Sequence, residues 1–174
     1  MSRRLAPLII ATGVISLAAC NPSPPAEPAA PATAITPTAA ADIPEAVRSV
    51  VLAARPGMVI AEAELKEREG RRYYDVEGTL AGAEIELDLL ETPRGWEVVE
   101  IQRDLPWADV PEGVRSAAGA ARAGFVPVRI IESVQAADGA VIYELFADGQ
   151  PATPALEVRA AGGRIEVLKE TWPH

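Results

Sequence analysis

The stretch DIPEAVRSVVLAARPG at residues 42–57 recurs 67 positions later as DVPEGVRSAAGAARAG at residues 109–124. The two copies align without a gap, and ten of their sixteen positions are identical. Each begins with an Asp that can cap a helix and a Glu three residues on, has Pro in the first turn, and ends at Gly. Each copy therefore predicts one amphipathic helix. The apolar face of the first is formed by Ile43, Val47, Val50, Val51 and Ala54.

Strand-like segments separated by turn residues follow each predicted helix. They lie at 58–67, 71–77, 83–89 and 96–103 after the first copy, and at 125–133, 140–146, 155–159 and 164–170 after the second. In residues 84–89, acidic and apolar side chains alternate strictly, which is typical of an antiparallel strand with one buried face. The predicted fold class is α+β, with two tandem helix-plus-antiparallel-sheet (αββββ) repeats at residues 42–108 and 109–174.

These features resemble the PepSY-like family and the related tandem fold of the β-lactamase inhibitory protein. The resemblance rests on the Asp-x-Pro-Glu-x-Val helix starts, on Tyr74 and Tyr143 in the second strands, and on the WADVPEGV junction at 107–114. It covers nearly everything from Asp42 to Pro173. It implies an exported, non-catalytic module that binds or restrains other proteins, including peptidases. The resemblance assigns no inhibitory residue to this chain.

Residues 1–20 predict a lipoprotein signal peptide. Two arginines, Arg3 and Arg4, precede an apolar run that extends from Leu5 to Ala19, shorter than the roughly 20 residues that cross a bilayer as a helix. The LAAC sequence that ends at Cys20 resembles the bacterial lipobox, which implies lipid on Cys20 and anchoring at a membrane. Asn21 stands where an Asp would favour retention at the inner membrane, so we expect the outer membrane, facing the periplasm. The alternative is an ordinary secretory peptide with a chance cysteine.

Residues 21–41 predict a Pro/Ala-rich linker, because six prolines lie among small residues without an apolar period. Removal of the signal peptide takes Arg3 and Arg4 with it. The mature chain then carries 14 basic and 25 acidic residues, a net charge of about −11. This charge disfavours nucleic acid and anionic lipid as partners.

The sequence contains no recognisable catalytic motif. Its one histidine, His174, is the last residue, and its one cysteine is Cys20. The sequence also has no glycine-rich phosphate-binding loop and no cluster of His and Cys residues with the spacing of metal ligands. We therefore predict a protein that is not an enzyme and has no cofactor or metal centre. A hydrolase with an unrecognised carboxylate pair is a remote alternative.

Carboxylate side chains are abundant in the chain. Glu84, Glu86 and Asp88 lie on the outward face of one predicted strand, and residues 62 and 64 and residues 75 and 77 have the same spacing on theirs. Aligned across a sheet, they predict an acidic surface for a basic partner or for a hard cation such as Ca²⁺. The alternative is a solvated face that keeps an exported protein soluble.

Two aromatic residues, Tyr73 and Trp107, are candidate interface anchors, although such residues are as often part of a core. The leading hypothesis is a lipid-anchored cell-envelope protein that binds a protein partner through a sheet face. Its candidate contact residues are Tyr73, Glu84, Glu86, Asp88 and Trp107. The alternative is a periplasmic sensor of a small ligand or cation.

Overall fold

A computed structural model describes residues 33–172 of the chain. The predicted signal peptide, with Cys20, and the first part of the predicted linker lie outside the described residues. The helices are α1 (Glu45–Ala54) and α2 (Glu112–Ala121). The strands are β1 (Ala34–Ala39), β2 (Val59–Arg68), β3 (Arg71–Leu80), β4 (Ala83–Thr92), β5 (Gly95–Asp104), β6 (Arg129–Gln135), β7 (Val141–Phe146), β8 (Leu156–Ala161) and β9 (Arg164–Val167).

All nine strands form one antiparallel sheet in chain order, from β1 at one edge to β9 at the other. β5 and β6 pair in the middle of the sheet, with Glu100 opposite Gln135 and Asp104 opposite Ile131. This pairing satisfies backbone groups that would otherwise form two open edges.

The predicted fold class is therefore wrong. The sequence predicted two tandem helix-plus-antiparallel-sheet repeats, whereas the described residues form mostly one continuous nine-stranded sheet with two helices of ten residues each. Two features account for the difference. β5 and β6 join the strands that follow the two helices into one sheet, and β1 adds a strand from the stretch predicted as linker.

β1 pairs with β2 along its whole length, from Ala34 opposite Glu67 to Ala39 opposite Glu62. Pro37 is tolerated because β1 is an edge strand and its missing N–H leaves no inner ladder bond unmade. The last part of the predicted linker thus belongs to the sheet.

Both helices begin later than their Asp residues suggested. Pro44 and Pro111 precede them, and neither N-terminus has a side-chain capping hydrogen bond. Asp42 instead ends a short 3₁₀ turn. The prediction that α1 ends before Gly57 is confirmed. Gly57 lies three residues past the end of the helix, and its φ of 87° is a conformation that favours glycine.

Two apolar clusters form between the helices and one face of the sheet. α1 buries Val47 and Val51 against Val76, Leu87 and Leu89. In the second cluster, α2 buries its side chains against strands β6 to β8. That cluster consists of Val110, Val114, Ala118, Ile130, Tyr143, Leu145 and Val158. Because strand side chains alternate between faces, the residues between these apolar positions point to the opposite face, which we call the outer face. Neither helix of the described part is long and apolar enough to cross a lipid bilayer.

Candidate functional site

The strand register aligns carboxylates across β2, β3 and β4 on the outer face, as the sequence predicted. One row of facing residues across the three strands consists of Glu62, Glu77 and Glu86. The neighbouring row on the same face consists of Glu64, Asp75 and Asp88. We call the four central residues the acidic block: Asp75, Glu77, Glu86 and Asp88.

Half of the acidic block is buried, so the alternative of a solvated acidic face does not describe Asp75 and Asp88, although Glu77 is exposed. Asp75 is 6% exposed and Asp88 is 8% exposed, although they stand directly opposite each other on β3 and β4. Glu100, opposite Asp88 on β5, is 4% exposed. Burial of facing carboxylates is costly unless each gains a proton, a cation or a hydrogen-bond donor.

Two of these three buried carboxylates have such a partner. The ammonium group of Lys66 forms an ion pair with Asp75 Oδ2. Ser133 Oγ donates a hydrogen bond to Glu100 Oε1, and Gln135 Nε2 donates to Ser133 Oγ over 2.8 Å. Asp88 instead shares a side-chain hydrogen bond with Glu86, another carboxyl group of the block, and its Oδ1 has no hydrogen-bond partner within residues 33–172.

The pKa values of the block reflect this crowding. Burial, followed by the charges of Asp75, Glu86 and Glu100, raises the pKa of Asp88 to about 9. Burial and the charges of Asp75 and Glu77 raise the pKa of Glu86 to about 7. For Lys66, burial lowers the pKa but contact with Asp75 outweighs it, so the pKa rises above its ordinary value. Without an added cation, the block therefore holds protons that isolated carboxylates would release.

A cavity of about 500 Å³ opens beside the block on the outer face. Five carboxylates line it: Glu62, Glu77, Glu84, Glu86 and Asp104. Its two arginines are already paired, Arg103 with Glu132 over 2.5 Å and Arg129 with Asp104 over 3.0 Å. One of these pairs uses Asp104 of the wall itself, so four carboxylates of the wall lie outside the two ion pairs and can accept from a cationic group.

Strands β7 and β8 carry a related arrangement. Glu144 and Glu157 lie 69 positions after Asp75 and Asp88, face each other in the same way, and are also buried. The positions that match Glu77 and Glu86 are occupied by Phe146 and Ala155. We call these four the mixed block: Glu144, Phe146, Ala155 and Glu157. The backbone N–H of Trp172 donates a hydrogen bond of 2.7 Å to Glu157 Oε2.

The candidate residues from the sequence divide into two groups. Glu84, Glu86 and Asp88 lie together on the outer face, and Tyr73 shares that face opposite Leu90, with the guanidinium groups of Arg68 and Arg71 over its ring at 5.5 and 5.9 Å. Trp107 lies apart from them, in a 3₁₀ turn that packs against the second apolar cluster.

Sequence reasoning did not single out Lys66, the cation that pairs with the block, or Glu100, which extends the block to β5. Lys66 lies at the same two-residue spacing after Glu62 and Glu64, so it was available from the alternation of β2. Glu100 was hidden by a bulge in β5, which shifts the register between Asp88 and Leu89.

Searches against protein-family models, curated proteins and solved structures return no match for this chain. The resemblance to the PepSY-like family stays a prediction.

Proposed function

We propose that this protein is a lipid-anchored, non-catalytic component of the cell envelope that binds a basic protein partner through the outer face of β2–β5. The observation that carries the proposal is the cavity beside the acidic block, which has five carboxylates in its wall and both of its arginines already paired. Such a wall attracts lysine and arginine side chains and repels acidic ones.

The geometry favours a protein segment over a flat charged surface as the ligand. Glu84 and Glu77 are exposed at the cavity, whereas Glu86 is half-buried, so acceptors are arranged at different depths. Tyr73 adds an amphipathic ring on the same face. A basic side chain can enter the cavity while its backbone lies across the strands.

The proposal includes the location predicted from the sequence. A lipid on Cys20 would hold the domain at a membrane surface, where envelope proteins with basic segments are available as partners. Two or more acyl chains would make such anchoring stable. The location that we propose is the periplasmic side of the outer membrane.

The proposal is tested by crosslinking and affinity purification from cell envelopes, followed by mass spectrometry of the retained proteins. The test variant replaces the three exposed carboxylates of the cavity with Gln: Glu62, Glu77 and Glu84. We expect an envelope protein that is enriched by the wild type and lost with this variant. Added salt should weaken the interaction, because exposed charges are screened.

The matched control removes three exposed carboxylates elsewhere: Glu69→Gln in the β2–β3 turn, Asp148→Asn after β7, and Glu170→Gln after β9. It has the same net charge as the test variant and should retain the partner. Equal loss with both variants would show that net charge alone governs binding. Equal retention would exclude the outer face as the binding surface. A Cys20→Ala form separates anchoring from recognition, since it should still bind the partner in solution.

A further inference from the structure

The acidic block contains three carboxylates whose oxygens converge on one point. Asp75, Glu86 and Asp88 can each direct one oxygen so that the three atoms lie within 4.8 Å of one another. Asp75 lies opposite Asp88 in the β3–β4 ladder, and Glu86 precedes Asp88 by two residues on the same face. Both strands are inner strands of the sheet, so these backbone positions are held by hydrogen bonds on both sides.

Asp88 provides an independent sign that a ligand belongs here. Its side chain is more than nine-tenths buried, it faces the other two carboxylates, and Oδ1 has no hydrogen-bond partner in the described part of the chain. A buried carboxylate oxygen in this state loses its hydration without compensation. In the mixed block, Glu157 Oε2 accepts the N–H of Trp172 and Oε1 likewise has no hydrogen-bond partner in the described residues, but that block supplies no third carboxylate to meet it.

The charge of the group matches one divalent cation. When ionised, the three carboxylates and the ammonium group of Lys66, which is paired with Asp75, sum to −2. Lys66 forms its ion pair with Asp75, whereas its charge acts on Asp88 without such a contact, and Oδ1 of Asp88 has no hydrogen-bond partner in the described residues. Glu86 also lines the outer-face cavity, which gives an ion a route from solvent and room for water ligands.

The chemistry of the ligand set favours Ca²⁺ over Mg²⁺. Separations within 4.8 Å allow the three oxygens to share one cation. Ca²⁺ accepts about six to eight oxygen ligands in flexible geometry, including carboxylates and water, whereas Mg²⁺ demands a near-ideal octahedron and gives up water reluctantly. We propose that Asp75, Glu86 and Asp88 form a Ca²⁺-binding site, with carboxylate ligands from two adjacent strands and water in the remaining positions.

This site does not depend on the proposed protein partner, because its ligands are side chains of a single chain. The test is isothermal titration calorimetry of the purified, chelator-treated protein with CaCl₂ and, separately, MgCl₂, up to about 10 mM. That range covers the weak sites of extracellular calcium modules, about 10⁻⁴–10⁻³ M. We expect one Ca²⁺ per chain, weaker binding of Mg²⁺, and a rise in melting temperature with Ca²⁺.

The variant Asp88→Asn keeps the shape of the side chain and should weaken Ca²⁺ binding about tenfold or more. Glu157→Gln, the same change at the corresponding position of the mixed block, should leave the affinity unchanged. A second variant, Glu86→Gln, lies at the cavity side and tests the site if Asp88→Asn folds poorly by circular dichroism. No saturable Ca²⁺ signal from the wild type would overturn the proposal. Equal losses in Asp88→Asn and Glu157→Gln, or tighter Mg²⁺ than Ca²⁺ binding, would also overturn it.

Discussion

The acidic block and the mixed block place the same facing pair of carboxylates on two parts of one sheet, but they surround that pair differently. In the acidic block, Asp75 and Asp88 have Glu77 and Glu86 as neighbours. In the mixed block, the facing acids are Glu144 and Glu157, and their neighbours are Phe146 and Ala155. One block therefore concentrates four acids where the other has two acids and two apolar residues.

The difference shows two solutions for buried acids. The mixed block dilutes its charge with apolar side chains and uses a backbone N–H of the C-terminal segment as donor. The acidic block has one ammonium group, from Lys66. Each block leaves one buried oxygen without a hydrogen-bond partner in the described residues, Asp88 Oδ1 in the acidic block and Glu157 Oε1 in the mixed block. The blocks therefore differ in how many carboxylates meet, because the acidic block brings three carboxylate oxygens together and the mixed block has only two acids.

The largest expected effect is a loss of stability with rising pH that originates in the acidic block. Asp88 is faced by Asp75, Glu86, Glu100 and Lys66, and its pKa is raised to about 9 in the folded protein. Above about pH 4 the unfolded chain releases this proton while the folded protein keeps it, so stability falls as pH rises toward 9. One proton can contribute at most about 1.4 kcal/mol per pH unit. We expect the free energy of unfolding in chelator to fall between pH 5 and pH 9, by an amount on the order of 3 kcal/mol.

Urea unfolding followed by tryptophan fluorescence measures this dependence. Asp88→Asn should flatten the curve, because the group that holds the extra proton is gone. Glu157→Gln, in the mixed block, should keep the slope of the wild type. A slope that is the same in all three proteins would mean that the pH dependence arises elsewhere in the chain.

A smaller effect is expected from removal of the cation that serves the acidic block. Lys66→Met keeps the aliphatic stem but leaves Asp75 buried among carboxylates. Breaking a buried ion pair costs about 3–5 kcal/mol. The side chain of Lys66 is 36% exposed, so we reduce the expected cost to about 2 kcal/mol at pH 7.

The matched variant is Arg159→Met on β8, which removes the ion pair between Arg159 and Asp138. Because Asp138 is exposed and its charge is screened by solvent, we expect little or no loss of stability. Similar losses for Lys66→Met and Arg159→Met would contradict the view that the acidic block depends on its one cation. Both values follow from urea unfolding at a single pH.

Much of this architecture follows from the sequence. The repeated stretch predicted both helices, and the alternation of residues 84–89 predicted the buried positions Ile85, Leu87 and Leu89, which the structure confirms. The rows of outward carboxylates were also predictable, since a period of two fixes the face once the strands are known.

Three features were beyond local reasoning. Pairing of β5 with β6 is a long-range contact that no local pattern specifies, so the sequence left open whether the strands of the two repeats share one sheet. β1 was hidden because Pro37 and its neighbours have the composition of a linker. The burial of Asp75 and Asp88 was missed because a carboxylate on an outward strand position is ordinarily solvated.

The smallest expected effect comes from exchanging one residue between the two blocks. Glu86→Ala gives the acidic block the residue of the mixed block, and Ala155→Glu does the reverse. Like charges directly opposite each other on neighbouring strands cost about 0.2–1 kcal/mol. In chelator at pH 8 we therefore expect Glu86→Ala to stabilise the protein by up to about 1 kcal/mol, because Glu77 loses its facing charge. Ala155→Glu should destabilise it, because the added carboxylate joins Glu144 and Glu157.

Calcium should make the wild type more stable than Glu86→Ala, the reverse of the order expected in chelator. At saturating Ca²⁺ the wild type gains the binding free energy of the ion, whereas Glu86→Ala has lost one of the three ligands and gains little. Melting temperatures of both proteins, with and without Ca²⁺, measure the reversal. If Glu86→Ala stays the more stable protein at every Ca²⁺ concentration, the extra carboxylate of the acidic block does not serve a cation. Loss of stability on Glu86→Ala in chelator would instead show that Glu86 supports the sheet through packing.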